Sequence, residues 1–269
     1  MGSVITSHLF NRWRRMQELR LKVLVLISTL LMQACSAIFT SADFLSAKPS
    51  PSYFVSYSCK FDEVSENNLQ VFSAVRERDF LLLNELVAQG SDINFKVGDG
   101  SPLLLCALDD VEMFRELLRL GADPNVKFNG TTLLHLTAEN EFVSLLSELI
   151  IFSGNIEIED DFRATPIFST IDPFNEEVPS AMIFLVDAGA NIEHVNRGCV
   201  TVMYMAAQVG RFDAVVYLYE NGASVEVTSC AGLSFKELMS TYNERIVHGS
   251  EKHIKYLRAM EIMGLDNNV

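Results

Sequence analysis

The stretch Gly130-Thr131-Thr132-Leu133-Leu134-His135-Leu136-Thr137-Ala138 decides the fold, because related phrases return along the chain. The other phrases of this kind are Ser101-Pro102-Leu103, Thr165-Pro166-Ile167, Thr201-Val202-Met203-Tyr204-Met205-Ala206-Ala207 and Gly232-Leu233-Ser234-Phe235. A second phrase begins at Gly90, Gly121, Gly154, Gly189 and Gly222, which are 31, 33, 35 and 33 residues apart. A period of this length is typical of a repeat array.

Each of these glycines follows an apolar stretch with helical spacing, such as Val215, Val216, Leu218 and Tyr219 before Gly222. Glycine adopts the left-handed conformation at low cost and therefore ends helices. Thr or Ser at the start of a unit suits a helix cap, and Pro166 suits the first helical position. The pattern predicts pairs of helices, each burying its apolar face against the next pair.

The order of these phrases resembles the ankyrin repeat over about Leu69 to Gly264, with Leu133 standing where the family has Pro. The resemblance implies an all-α fold for residues 65–269. It would be an ankyrin-repeat solenoid of about six helix-turn-helix units with short β-hairpin loops. It also implies that His135 joins backbones, a structural role. The hairpin tips and the ends of the first helices would form a concave face that binds another protein.

Several units depart from the repeat pattern. Residues 65–94 lack the opening phrase, as an N-terminal cap would, and the segment from Glu251 to Met263 is expected to cap the other end with its charges in solvent. The second unit is one residue short near Asp109. The fourth carries an insertion at 172–179 around Phe174, which is either a plain loop or a contact loop for a partner.

The first thirty-four residues have the character of an export signal. Basic residues up to Lys22 precede an apolar run, Val23 to Ala34, that is too short to cross a bilayer, which takes about 20 residues. The run ends in Leu31-Met32-Gln33-Ala34-Cys35, which resembles a bacterial lipoprotein signal. This implies that residues 1–34 are removed and that Cys35 carries a lipid. An ordinary signal peptide and a short signal anchor are the alternatives.

The lipoprotein resemblance has further implications. Ser36 is not the Asp that retains lipoproteins in the inner membrane, which implies an outer-membrane anchor with the protein facing the periplasm. Residues 35–64 would be a tether, although Tyr53 to Tyr57 would also suit a segment docked on the first repeat. Translation from Met16 would give a more typical signal than translation from Met1.

The net charge limits the kinds of molecule that the protein can bind. The chain is 49% hydrophobic and 21% charged, which disfavours a mainly disordered protein, and its formal net charge is −14. Residues 1–34 hold five basic residues and one acidic residue, so the rest has 16 basic and 34 acidic residues, a net charge of −18. Such a chain is repelled by nucleic acid and by anionic lipid. We expect a partner protein with a basic surface, and membrane contact through the lipid alone.

The sequence offers no chemistry of its own. It contains no H-E-x-x-H, G-x-S-x-G or G-x-x-x-x-G-K motif. His248 and His253 flank Glu251, but a spacing of five does not put two histidines on one helix face, which disfavours a metal site. We therefore expect no catalytic residues, no metal, no cofactor and no small-molecule substrate.

The cysteines other than Cys35 are Cys59, Cys106, Cys199 and Cys230. Cys106 takes a small-residue position, where a buried free thiol is expected. Cys199 and Cys230 fall near hairpins of successive units. A disulfide needs Cα atoms within about 7 Å, and neighbouring hairpins are usually farther apart, so the sequence argues against a bridge between them.

The partner-binding residues follow from the ankyrin resemblance. They comprise Asp109, Phe128, Glu139, Asn140, Asp161, Phe162, Asp172, Phe174, Arg197 and Gln208. Aromatic anchors among carboxylates would suit a basic partner; the alternative is that Phe128 and Phe162 pack on neighbouring hairpins.

We expect a binding module without catalysis, most specifically an immunity protein that inhibits a toxin acting in the periplasm, such as a secreted phospholipase. The first alternative is a scaffold or stress-protection lipoprotein that organises periplasmic enzymes. The second is an effector delivered to a host, which a lipid anchor disfavours.

Overall fold

The computed structural model describes residue 59 and residues 64–98, 100–173, 177–243 and 246–265. The predicted signal peptide, Cys35, most of the predicted tether and Phe174 lie outside these residues, so their expected roles stay predictions. No helix within the described ranges is long and apolar enough to cross a membrane.

Helices arranged in pairs make up most of the described chain. The α-helices are α1 Leu69–Arg76, α2 Phe80–Ala88, α3 Val111–Arg119, α4 Leu133–Glu139, α5 Val143–Ile151, α6 Pro166–Ser169, α7 Ser180–Asp187, α8 Val202–Val209, α9 Phe212–Glu220, α10 Phe235–Asn243 and α11 Glu251–Ile262. A 3-10 helix, Leu103–Ala107, precedes α3 and completes its pair. The described residues thus form six helix pairs, which confirms the predicted number of units.

The 3-10 helix explains how the second unit, although one residue short, keeps a first helix of nearly the usual length. A 3-10 helix rises about 2.0 Å per residue, against about 1.5 Å in an α-helix. Its 5 residues therefore span nearly the length of α4, which has 7 residues. Every one of the five residues from Leu103 to Ala107 is buried, so the stretched helix still covers its part of the core.

Short antiparallel hairpins of the predicted kind precede the second and third helix pairs, and a single bridge precedes the sixth. Strand β1, Lys96–Val97, pairs with β2, Ser101–Pro102. Strand β3, Lys127–Phe128, pairs with β4, Thr131–Thr132, and an isolated bridge joins Thr228 to Ser234.

The helix caps predicted at the start of each unit form in only some of the first helices. The Thr201 hydroxyl caps α8 by accepting the N–H of Tyr204 at 3.3 Å, and Pro166 occupies the start of α6. The expectation fails at Thr132 and Thr165, since neither side chain caps its helix. Both residues are nevertheless buried, so they contribute to the packing between units.

The core runs through the stack between successive helix pairs. Ala206 and Ala207 in α8 are both 0% exposed, which allows the close helix approach predicted for this Ala pair. The largest fully buried side chains include Phe72, Phe114, Tyr204, Phe212 and Phe235. Burying one such aromatic side chain stabilises the folded state by about 1.5–3 kcal/mol.

The recurring glycine phrases also join the units to one another. The side chain of Asn94 accepts the N–H of Asp123 at 2.8 Å and donates to the carbonyl of Gly121 at 3.0 Å. The same acceptor role recurs in three later units. There the side chains of Asn125, Glu157 and Glu193 accept the backbone N–H groups of Asn155, Asn191 and Ser224, respectively. The repeated Asn or Glu therefore satisfies a backbone donor of the next unit, which ties the phrase to the stacking.

Helix α11 caps the C-terminal end, as predicted, but its lysines are not simply solvated. Lys255 lies 2.9 Å from the carboxylate of Asp213 in α9, and Lys252 donates to the carbonyl of Val209 at 3.4 Å. Tyr256 of α11 is buried and meets Phe212 edge-to-face, with ring centroids 5.3 Å apart. The cap is therefore held by apolar and charged contacts together.

Two disulfides correct the expectations for the cysteines. Cys106 is bonded to Cys59, so it is buried but not a free thiol. Cys199 is bonded to Cys230. Their Cα atoms are 5.1 Å apart, within the range for a disulfide, because the neighbouring hairpin tips lie closer together than we expected.

Candidate interaction surface

The tips of successive hairpins are joined by backbone hydrogen bonds. The N–H of Asp161 donates to the carbonyl of Gly130 at 3.0 Å, and that of Arg197 donates to the carbonyl of Phe162 at 2.9 Å. One unit farther on, the N–H of Cys230 donates to the carbonyl of Gly198 at 3.0 Å. These bonds make a row of hairpin tips, here called the tip row (residues 128–131, 160–163, 196–199 and 229–232).

The tip row brings together four of the predicted binding residues, Phe128, Asp161, Phe162 and Arg197. Asp161 and Arg197 are exposed, and Phe162 is 40% exposed. Phe128 is half-buried in β3. An exposed phenylalanine, an aspartate and an arginine thus lie in adjacent hairpin tips.

Gly130 lets Asp161 approach the preceding hairpin closely. A Cβ atom at position 130 would lie 2.5 Å from Oδ2 of Asp161, so a side chain there would have to push the Asp161 carboxylate aside. The Asp161 side chain thus lies against the third-unit hairpin, whose Gly130 carbonyl also accepts the Asp161 N–H.

The predicted residues at the ends of the first helices are more dispersed. Asp109 is exposed and lines a cavity of about 150 Å³ with Arg76, Arg78 and Asp110. Within that cavity, Nε of Arg78 lies 2.9 Å from Oδ2 of Asp110. The other residues of this group, namely Glu139, Asp172 and Gln208, are half-buried.

Asn140 does not belong to an accessible surface, and its prediction as a contact residue is wrong. It is only 7% exposed. Its side-chain amide donates to the carbonyl of Leu136 at 2.8 Å, one turn back in α4. The helix period placed Asn140 at the end of its helix but did not show that its side chain folds back onto the helix.

The base of the fourth-unit insertion is held by Arg211, which sequence reasoning missed. Arg211 is 3% exposed. Its guanidinium donates to the carbonyl of Asp172, and to that of Glu177 at 2.6 Å. The available signal was the arginine that directly precedes the apolar helix α9.

The comparisons with known proteins agree with this geometry. The family model for the ankyrin repeat matches residues 100–127. An ankyrin repeat domain from Acinetobacter baumannii AYE, known from its crystal structure, is similar with a TM-score of 0.57 and 19% identity. The alignment covers 70% of this chain and 95% of that one. No curated protein matches the sequence.

The fold is an ankyrin-repeat solenoid. Ankyrin repeats indicate a protein–protein interaction module, so the tip row and the first-helix ends are the surfaces on which to look for a partner. At 19% identity the similar structure establishes the fold alone.

His135 has the structural role that the ankyrin resemblance implied. It is 2% exposed. Its Nδ1 lies 2.9 Å from the Thr132 hydroxyl and its Nε2 lies 2.9 Å from the carbonyl of Ala164 in the next hairpin. Burial lowers the pKa of His135, opposed by the Ala164 carbonyl and by the nearby carboxylate of Asp160. A neutral imidazole thus links the third and fourth units.

The two histidines near the C-terminal end are in contact with each other. The rings of His248 and His253 meet edge-to-face at 4.7 Å, and Nδ1 of His253 accepts the N–H of Gly249 at 3.0 Å. Within the part of the chain that the structure describes, no three His, Cys, Asp or Glu side chains are grouped so that they could hold a metal ion.

Proposed function

We propose that the protein is a membrane-anchored binding module that faces the periplasm, and that it acts as an immunity protein. In this role it binds a toxin acting in the periplasm, such as a secreted phospholipase, and covers the surface that the toxin needs. The ankyrin-repeat fold supports the general part of this proposal, that the chain binds another protein. The more specific parts rest on the features described next.

The observation that carries the proposal is the exposed ring of Phe162 in the tip row. It is 40% exposed and belongs to a hairpin tip bonded to both neighbouring tips. A rigid aromatic side chain loses little conformational entropy when a partner covers it, and aromatic residues are enriched among binding hot spots. The backbone bonds on either side hold the Phe162 backbone in place before a partner arrives.

The charge supports a basic partner. The net charge is −14 for the whole chain, and it becomes −18 when residues 1–34 are removed. Complementary charge speeds association and disfavours acidic competitors. The partner surface should therefore carry an excess of Lys and Arg around an apolar pocket that receives Phe162.

The disulfides support export from the cytoplasm. Four of the five cysteines form the pairs Cys59–Cys106 and Cys199–Cys230, and disulfides persist mainly in oxidising compartments. The fifth is Cys35, the predicted lipid attachment site. The pairing thus agrees with a chain that leaves the cytoplasm and carries a lipid at its remaining cysteine.

The proposal is tested by capturing partners with residues 36–269 and then measuring affinity with two matched variants. Phe162→Asp should weaken binding of the captured partner at least about ten-fold, the loss of roughly 1.4 kcal/mol. Leu81→Asp changes a residue that is 86% exposed on α2, away from the tip row, and should leave the affinity unchanged. Equal affinity of the Phe162 variant and the parent protein would overturn the assignment of this surface.

A second experiment separates immunity from the scaffold alternative. The captured partner is expressed in the periplasm with and without this protein, and cell survival is measured. Immunity predicts that the partner kills cells only when this protein is absent. A captured set of periplasmic enzymes, none of them toxic, would instead support the scaffold function.

A further inference from the structure

The two disulfides of the chain differ in their exposure to solvent. Cys59 is 6% exposed and Cys106 is 2% exposed, so their bond lies in the interior. Cys199 is half-buried and Cys230 is exposed. A thiol reagent from solvent therefore reaches the second disulfide far more readily than the first.

The exposed disulfide lies between two tips of the tip row. It joins the fifth-unit hairpin to the sixth-unit hairpin, and Sγ of Cys230 also lies 3.8 Å from the carbonyl of Arg197. No helix has to separate before a reagent reaches this bond, because both cysteines sit in turns outside the helical stack.

We propose that Cys199–Cys230 is a redox-sensitive site that a dithiol reductant opens while Cys59–Cys106 stays closed. A thiolate of the reductant attacks Sγ of Cys230, the S–S bond breaks, and Sγ of Cys199 leaves as a thiolate that takes up a proton. The second thiol of the reductant then displaces Cys230. The reductant is oxidised to a disulfide and the two cysteines are reduced to thiols, a transfer of two electrons.

Opening this bond leaves the sixth unit attached. Phe235 in α10 is 0% exposed, and the hydroxyl of Tyr204 donates to the carbonyl of Leu233 at 3.0 Å across the same pair of units. These contacts lie behind the hairpin tips. Reduction thus removes the covalent link between the two tips, at the end of the tip row that holds Arg197, and leaves the backbone bond from Cys230 to Gly198 and the folded stack in place.

The test is graded reduction of the oxidised full chain by dithiothreitol, with alkylation of free thiols and mass spectrometry of the peptides. Cys199 and Cys230 should be alkylated at least about ten-fold faster than Cys59 and Cys106, because attack on the buried bond requires local opening. In denaturant the two disulfides should be reduced at similar rates.

Two double variants each retain only one of the two disulfides. The variant Cys59→Ser/Cys106→Ser keeps the exposed bond and should be reduced at the fast rate, whereas Cys199→Ser/Cys230→Ser keeps the buried bond and should be reduced at the slow rate with unchanged circular dichroism. Equal rates in the folded chain, faster loss of the buried bond, or an oxidised protein without the Cys199–Cys230 bond would each overturn the proposal. None of these measurements requires the partner, so they do not depend on the proposed function.

Discussion

The guanidinium of Arg211 donates to the carbonyl of Glu177 at 2.6 Å, across 34 residues of chain. The same group donates to the carbonyl of Asp172, so one side chain of the fifth unit is bonded to two carbonyls of the fourth-unit insertion. A charge that is only 3% exposed is costly to bury without acceptors. The two carbonyls supply those acceptors, which makes the insertion and Arg211 depend on each other.

Replacing Arg211 should therefore destabilise the stack. Arg211→Met keeps most of the side-chain volume but loses both hydrogen bonds to a charged donor, a cost of about 3 kcal/mol. Urea unfolding followed by circular dichroism measures the change. Arg197→Met, at an exposed arginine of the tip row, should stay within about 0.5 kcal/mol of the parent chain. Equal stability of the two variants would contradict the role given to Arg211.

Gly210 controls the docking of the C-terminal cap. It has φ of +75°, and a Cβ atom there would lie 2.5 Å from Cε of Lys252 and would also overlap the hydroxyl of Tyr242. The Tyr242 ring has little room to withdraw, because it packs edge-to-face on Phe212 at 4.9 Å. Gly210→Ala must therefore move the side chains of Tyr242 in α10 and Lys252 in α11.

The matched control for this change is Gly249→Ala, at φ of +81° with no atom within 4 Å of the new Cβ. The control carries only the left-handed backbone cost, about 1–2 kcal/mol. Gly210→Ala should lose more free energy of unfolding than this, and the difference measures the collision with the cap. A smaller loss at position 210 than at position 249 would refute the close contact.

The period of the sequence was enough to predict the helix pairs and the hairpins, because both depend on local signals that recur. The glycine phrases at Gly121 and Gly154 mark helix ends, and Asn125 and Glu157 in these phrases accept the backbone N–H groups of the next unit. The burial of Asn140 was missed, because a helix pattern shows where a residue sits but not where its amide finds an acceptor.

The contacts missed by sequence reasoning are those between units. The Cys199–Cys230 bond depends on how closely two hairpin tips approach, which is set by the backbone bond from Cys230 to Gly198 and not by the repeat period. The clamp by Arg211 likewise joins residues 34 and 39 positions apart. Neither contact leaves a local pattern, so neither was predictable from the opening phrases.

The predicted lipid anchor is tested by Cys35→Ser. If Cys35 carries the lipid, cells given radioactive palmitate should label the parent chain but not this variant, and the variant should move from the membrane fraction to the soluble periplasmic fraction. The double variant Cys199→Ser/Cys230→Ser, which is expected to keep its fold, serves as the control and should keep both the label and the membrane location. Continued labelling of the Cys35 variant would exclude this residue as the attachment site.

His135 should make the fold sensitive to mild acid. Burial lowers its pKa in the folded chain, whereas in the unfolded chain the pKa is close to 6.5. The imidazole is neutral in both states at higher pH, so its contacts to Thr132 and Ala164 are then fully kept. As the pH falls below about 6.5, the unfolded state binds a proton that the folded state does not, and the free energy of unfolding decreases by up to about 1.4 kcal/mol per pH unit.

Urea unfolding at pH 7.5 and pH 5.5 should show this loss in the parent chain and in His248→Gln, where an exposed ring is replaced. His135→Gln should be less stable than the parent at pH 7.5 but should lose less free energy of unfolding on acidification. An equal loss in the parent and in His135→Gln would rule out His135 as the source.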